Sequence, residues 1–247
     1  MTRLDQALVE HGLCESREKA RRAVLAGQVR VNARPARKPS DPVKPDDALT
    51  LQAGEKYVSR GGHKLEHALK HFQLDVAGRV ALDLGASTGG FTDCLLQHGA
   101  AKVFAVDVGL GQLAWKLRQD PRVVVMEKTN ARLLTAVQFP PPFVPVDLAV
   151  IDCSFISLRK ILPAAVPLLT PAGLIVALIK PQFEAGKAEA DRGRGVIRDA
   201  AIHERVLGEL RNFVAKRSGL CWRDVVESPL LGPAGNKEFL VLIEKIR

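Results

Sequence analysis

Asp83-Leu84-Gly85-Ala86-Ser87-Thr88-Gly89-Gly90-Phe91 is the stretch that decides the fold. The apolar run Val80–Leu84 reads as a strand, the glycines as a tight turn, and a helix is predicted from about Gly89. Outward from this turn, short apolar runs alternate with helical patterns. The runs are Lys102–Val106, Val123–Val125, Leu148–Ile151, Leu174–Ile179 and Val241–Ile243, with Cys221–Val226 a weaker strand candidate. Near-continuous apolar strands need cover on both faces, so the pattern predicts an α/β architecture built on a mostly parallel sheet.

The turn also selects a class of ligand. Its spacing is G-x-S-x-G-G rather than G-x-G-x-x-G, and Asp83 stands two residues before the first glycine. A pyrophosphate wants bare helix amides at that place. S-adenosylmethionine carries no phosphate but has a cationic amino group and a sulfonium, which an acid at the turn favours. Asp107, about 24 residues further on, ends the second strand; it suits the hydroxyls of a ribose or, alternatively, a helix N-cap. The expected donor contacts are Asp83, Gly85, Ala86, Ser87, Gly89, Gly90, Phe91 and Asp107. The string G-x-S-x-G also matches a hydrolase nucleophile elbow, but no Asp…His pair at later strand ends supports that reading.

The chain has 247 residues, 47% hydrophobic and only 5% aromatic, enough apolar material for a sizeable core. Its 36 Lys/Arg against 27 Asp/Glu leave a formal charge of +9, which favours polyanionic partners. That charge is concentrated. From Arg17 to Lys38 there are eight Lys/Arg and a single acid, Glu18. The same region reads as a helix over Arg3–Glu10 closed by Gly12, then a second helix over Arg17–Ala26 capped by Ser16 and ended by Gly27. Strands are predicted near Gln28–Val31 and Ala48–Leu51. With no acids interleaved to form i,i+4 pairs, the basic face of the second helix reads as a nucleic-acid surface. Arg3, Arg17, Lys19, Arg21, Arg22, Arg30 and Arg60 are its candidate contacts.

This segment resembles the S4 RNA-binding domain. The matching text is Arg3-Leu4-Asp5, Gly12-Leu13, Ser16-Arg17, Ala20, and Val24 through Gly27-Gln28-Val29-Arg30-Val31-Asn32. The predicted organisation is an S4-like α+β domain over 1–55, a linker over 56–62, and a larger domain over 63–247.

Four residues stand out in the larger domain by context. Lys64 follows the double glycine of Arg60-Gly61-Gly62-His63, Asp152 ends the fourth strand, Lys180 ends the run Leu174–Ile179, and Glu238 enters the last strand. Taken singly, Asp152 could be an N-cap and Lys180 a solvent-facing strand end. Taken together, they match the Lys-Asp-Lys-Glu tetrad of FtsJ-type RNA ribose 2′-O-methyltransferases, which residues 57–247 resemble. The whole chain resembles the TlyA family of rRNA cytidine 2′-O-methyltransferases, whose members are often labelled hemolysin-like.

The resemblance implies a Rossmann-like methyltransferase fold with a seven-stranded sheet, S-adenosylmethionine as donor, and ribosomal RNA or ribosomal subunits as partner. It implies catalytic roles for Lys64, Asp152, Lys180 and Glu238. A ribose 2′-hydroxyl must lose its proton while attacking a sulfonium methyl, so Lys180 is expected as base or orienter. Lys64 would sit beside it as a second cation, Asp152 would orient the amine, and Glu238 would fix Lys64 or the ribose. The basic segment Glu184–Arg198 reads as a loop near Lys180.

Other classes fall away. Met1–Glu10 holds no long apolar run and no stretch has membrane-spanning length, so neither a secretory leader nor a membrane partner is expected. Cys14, Cys94, Cys153 and Cys221 lie far apart without ligand spacing, which predicts no metal, reduced thiols and a cytoplasmic location. A non-catalytic RNA-binding or ribosome-assembly protein would tolerate loss of Asp152 or Lys180, and both are present. A membrane-active cytolysin would need an amphipathic basic helix with an aromatic face, which the pattern lacks.

Overall fold

The run Val80–Leu84 forms an interior strand of a seven-stranded sheet. In the computed structural model, residues 1–52 and 55–246 are described, Lys187 for its backbone alone. The contacts divide the chain into two units, Met1–Lys56 and Tyr57–Arg247.

The first unit contains β1 (Thr2–Arg3), α1 (Leu4–Glu10), α2 (Arg17–Leu25), β2 (Val29–Val31), β3 (Arg34–Pro35), β4 (Pro42–Val43) and β5 (Leu49–Leu51). Leu4, Ala7 and Leu8 of α1 pack with Ala20, Ala23 and Val24 of α2 over Val29 and Val43. Ser16 caps α2 as expected, its Oγ accepting from Lys19 N at 3.2 Å. The two predicted strands pair antiparallel as β2 and β5, and β3 extends the sheet to three strands in the order β3-β2-β5.

The second unit runs α3 (Gly61–His71), β6 (Val80–Leu84), α4 (Gly90–Gln97), β7 (Lys102–Val106), α5 (Trp115–Arg118), β8 (Val123–Met126) and β9 (Val146–Ile151). It continues with α6 (Leu158–Ala165), β10 (Leu169–Ile179), α7 (Pro181–Glu184), α8 (Lys187–Arg192), α9 (Ala200–Ala215), β11 (Leu220–Glu227) and β12 (Phe239–Lys245). The sheet has seven strands in the order β11-β12-β10-β9-β6-β7-β8. Strands β8, β7, β6, β9 and β10 are mutually parallel, and β12 pairs antiparallel with both β10 and β11.

Period-two alternation sends these strands into two cores. Leu82, Leu84, Ala149, Ile151, Ile175 and Ala177 join one with α6 and α9. Ala81, Leu148, Val150, Val176 and Leu178 join the other with α3 and α4. Full burial of each such leucine or isoleucine contributes about 1.5–3 kcal/mol. Both faces are therefore covered, which is why the strands carry so few polar residues.

Two sequence expectations change. Residues 57–62 were expected as a linker, yet they fold into the second unit: Tyr57 is buried in its core and α3 begins at Gly61. Gly62 permits this, because a Cβ there would lie 2.2 Å from the Tyr57 ring. Within Glu184–Arg198, expected as a loop, 193–198 remain turn and irregular backbone, while Lys187–Arg192 forms the helix α8. Its charges make this possible, since Glu189 of α8 pairs with Arg205 of α9.

Candidate active site

Parallel strands place their carboxyl ends on one edge, so Gly85, Asp107, Asp152 and Lys180 arrive together after β6, β7, β9 and β10. The antiparallel β12 brings its beginning to that same edge, where Phe239 pairs with Ile179. Glu238 therefore joins from the end of the sequence and Lys64 from α3.

Gly85 has φ +87°, and a Cβ there would lie 2.6 Å from the Asp152 carbonyl oxygen. The turn is thus pressed against the end of β9. Gly90 allows a second close approach, its α-carbon packed against Ser59 and Gly62 at the start of α3. Gly89 faces Leu113 and Leu117.

Two cavities meet at the turn. One, about 440 Å³, is lined by Lys64, Asp152, Lys180, Glu238, Arg60 and the 85–88 backbone. The other, about 450 Å³, is lined by Asp107, Val108, Gln112, Asn130, Cys153 and Phe155 among others. Gly85, Ser87, Asp152 and Ser154 belong to both walls.

Lys64 Nζ lies 2.5 Å from Glu238 Oε2, and both side chains are more than nine-tenths buried. Lys180 Nζ lies 2.6 Å from Asp152 Oδ1 and donates to Ser154 Oγ at 2.7 Å. The two lysines are therefore not a bare cation pair; each has its own carboxylate. Glu238 Oε1 is buried without a hydrogen-bond partner among the described residues. It lies against Gly232, where a Cβ would come within 2.5 Å.

The acids of the turn divide. Asp107 accepts from Ser87 N at 2.8 Å and from Gly109 N at 2.7 Å, which fixes its carboxylate on the wall of the second cavity. Asp83 has no exposed surface, lines neither cavity, and accepts from Thr92 Oγ at 2.6 Å. Burial, partly offset by Thr92, pushes its carboxyl up to about 7. Burial and the neighbouring Asp152 likewise push the Cys153 thiol up to about 12, so it is a protonated wall residue rather than a nucleophile.

Ser154 and Phe155 were not singled out in the sequence. Phe155 is 90% exposed with φ +63°, and its ring centroid lies 5.1 Å from that of Phe183. An exposed aromatic face at a cavity rim offers a stacking surface to a planar ring.

The residues fit a donor with a planar ring at one end and a charged amino acid at the other. The second cavity joins apolar Val106, Ala131 and Ile161 to the Asp107 carboxylate, and the first carries backbone and charged groups. Among the described residues no group of three or more His, Cys, Asp or Glu could hold a metal ion, and no helix is long and apolar enough to cross a membrane.

On the first unit, the basic residues are exposed but more paired than the sequence suggested. Lys19 pairs with Glu15 and Arg22 with Glu18, both i,i+4, while Arg3 and Arg17 converge on the buried Asp5 at 2.9 and 3.5 Å. These two arginines hold the Asp5 carboxyl below its usual range, Arg3 most strongly. Glu15, just before the helix, and Glu18, in its first turn, thus supply the i,i+4 acids that the expectation denied this face. Arg21 makes no ion pair among the described residues, and Arg30 donates to the Ala33 carbonyl. Arg60 belongs to the second unit, on the wall of the first cavity, with Nη2 donating to Leu231 O at 2.5 Å.

Comparison with known proteins places this geometry. The FtsJ-like methyltransferase family model matches residues 57–245, and the S4 domain model matches residues 2–49. The chain is 49% identical to the 16S/23S rRNA (cytidine-2′-O)-methyltransferase TlyA of Mycobacterium tuberculosis, over 97% of this chain and 88% of that one. It is 42% identical to Hemolysin A of Brachyspira hyodysenteriae, over 96% and 98% respectively. A solved structure described as "Putative hemolysin from Streptococcus thermophilus" superposes with a TM-score of 0.74 at 46% identity, covering 99% of this chain and 88% of that one. The chain therefore belongs to the TlyA family, an S4 domain joined to an FtsJ-like methyltransferase domain.

Proposed function

We propose that this protein transfers a methyl group from S-adenosylmethionine to a ribose 2′-hydroxyl of ribosomal RNA, with cytidine as the nucleoside, as its TlyA relative's name specifies. The observation that carries the reading is the meeting of Lys64, Asp152, Lys180 and Glu238 on the wall of one cavity that also contains the glycine turn. Asp107 and the backbone of Gly85–Ser87 would hold the donor, which supplies an electrophilic methyl on a sulfonium.

The target ribose enters the cavity beside Lys180. Asp152 fixes the Lys180 ammonium, and Lys180 in turn holds the 2′-oxygen; its free-amine form takes the proton as the new C–O bond forms. Lys64 and Glu238 form a neutral buried pair behind it, and Glu238 Oε1 offers an acceptor to the incoming ribose. Positioning the hydroxyl against the methyl is itself a large part of the rate enhancement. The first unit supplies the docking surface, where exposed arginines exchange their carboxylate partners for phosphates. Ribosomal RNA as substrate places the activity in the cytoplasm.

The test is labelled-methyl transfer to separate 30S and 50S subunits, followed by mapping of the modified nucleotide. Lys180→Ala should abolish transfer while calorimetry shows donor affinity unchanged. Near-normal turnover by that variant would refute the role given to Lys180.

A further inference from the structure

Lys180 is held at two points, Asp152 and Ser154, and Ser154 lies outside the set of Lys64, Asp152, Lys180 and Glu238. Its ammonium carries three tetrahedrally disposed N–H groups. The ammonium sits 2.6 Å from Asp152 Oδ1 as an ion pair without hydrogen-bond geometry, and it donates one N–H to Ser154 Oγ at 2.7 Å. A single anchor would leave the long side chain free to swing about that contact. The ion pair holds the ammonium in place and the directed bond to Ser154 sets its rotation, which together restrict where the remaining N–H groups, or the lone pair of the amine, point. We infer that Ser154 is a positioning residue for methyl transfer, its hydroxyl oxygen fixing the direction in which Lys180 meets the target hydroxyl. The inference rests on the methyltransferase reading above and names a further residue in that same site.

Three features single out Ser154. It lies on the wall common to both cavities, where the two reactants must meet. Its side chain has no competing structural duty: α6 is capped by Ser157, whose Oγ accepts from Arg159 N at 3.1 Å. The segment that follows Ser154, finally, is held by other contacts. The Glu184 carboxylate accepts from Ser157 Oγ at 2.6 Å and Leu158 N at 2.7 Å, and the Phe155 and Phe183 rings meet beside it. These staple the segment after β9 to the segment after β10, so removing the Ser154 hydroxyl leaves the two loops in register.

The experiment compares the full-length protein with Ser154→Ala and Ser154→Thr, using labelled donor and separate 30S and 50S subunits. One lost hydrogen bond from a charged donor predicts a fall in kcat of about tenfold for Ser154→Ala. KM for the subunit, donor affinity and Tm should stay unchanged, and Ser154→Thr, which keeps the hydroxyl, should recover most of the rate. Wild-type kcat in Ser154→Ala, a loss confined to KM or donor affinity, or an equal loss in Ser154→Thr would each overturn the role of Ser154. If the unsubstituted enzyme methylates neither subunit, the underlying reading fails and takes this inference with it.

Discussion

Replacing Gly85 by alanine tests whether the turn and the end of β9 are in the contact described. Two costs add. A residue other than glycine at φ +87° pays the left-handed penalty, about 1–2 kcal/mol. The new Cβ also falls 2.6 Å from the Asp152 carbonyl oxygen, 2.9 Å from its carbon and 3.1 Å from Cys153 N. Those are backbone atoms of a strand end anchored by Asp152 N donating to Leu84 O at 2.9 Å, so they yield only with movement of the site. Overpacking of this kind costs about 1–3 kcal/mol. Gly78→Ala is the control, because Gly78 has φ +73° and nothing within 4 Å of the added carbon. The conformational term is common to both variants, as is the entropic gain of removing a glycine from the unfolded chain. Their difference is therefore the close contact alone, about 1–3 kcal/mol. In a domain of this size that lowers Tm by about 2–12 °C relative to the control. Thermal unfolding reads this difference, and calorimetry with the donor reads the displacement of Asp152. Gly85→Ala should bind donor poorly while Gly78→Ala binds normally. Equal Tm values and equal donor affinities would refute the contact.

Three further outcomes follow from the charges. Lys64→Met alone leaves Glu238 buried without its counter-charge and should cost about 3–5 kcal/mol in thermal unfolding, whereas Lys64→Met with Glu238→Leu should recover much of it; equal losses would show that the pair is not coupled. Asp83 has a folded pKa near 7 against an ordinary value of 3.8, so the folded state holds its proton more tightly than the unfolded one. Its contribution to stability is present below about pH 4 and is lost as pH rises towards 7, and Asp83→Asn should flatten Tm over that window; parallel curves would contradict the burial argument. Replacing Arg17, Arg21 and Arg22 by glutamine should weaken RNA binding and reduce the slope of log affinity against log salt by about 2–3, measured by filter binding, with donor affinity unaffected.

What the sequence made legible follows from the physics of the sheet. Strands covered on both faces need continuous apolar runs, and Val80–Leu84 and Lys102–Val106 are found in the structure with the bounds their hydropathy suggests. Where the pattern is broken, the bounds shift. β10 begins at Leu169 rather than Leu174 because Pro171-Ala172-Gly173 interrupts the apolar run and the ladder, which pairs Leu169 with Val146 and resumes at Leu174. The two-residue strands β1, β3 and β4 carry too few residues for any periodicity.

The site was legible as a set of residue types, and the family resemblance implied that Asp152 meets Lys180 and that Glu238 meets Lys64 or the ribose, but the residues alone did not give these pairings. Lys64 and Glu238 are 174 positions apart, and nothing local indicates that Glu238, rather than open solvent, meets the ammonium. Ser154 is invisible for a related reason. Its function depends on a contact 26 positions away, and serine after a strand end is commonplace.

The antiparallel last strand has a consequence for the order in which the molecule is made. Synthesis yields Lys64 first, then the donor turn, then Asp152 and Lys180, and delivers Glu238 last of all. Until that strand threads between β10 and β11, the growing chain holds Lys64, Asp152 and Lys180 but no counter-ion for the Lys64 ammonium. The insertion that completes the sheet is therefore also the step that gives the Lys64 ammonium its counter-charge.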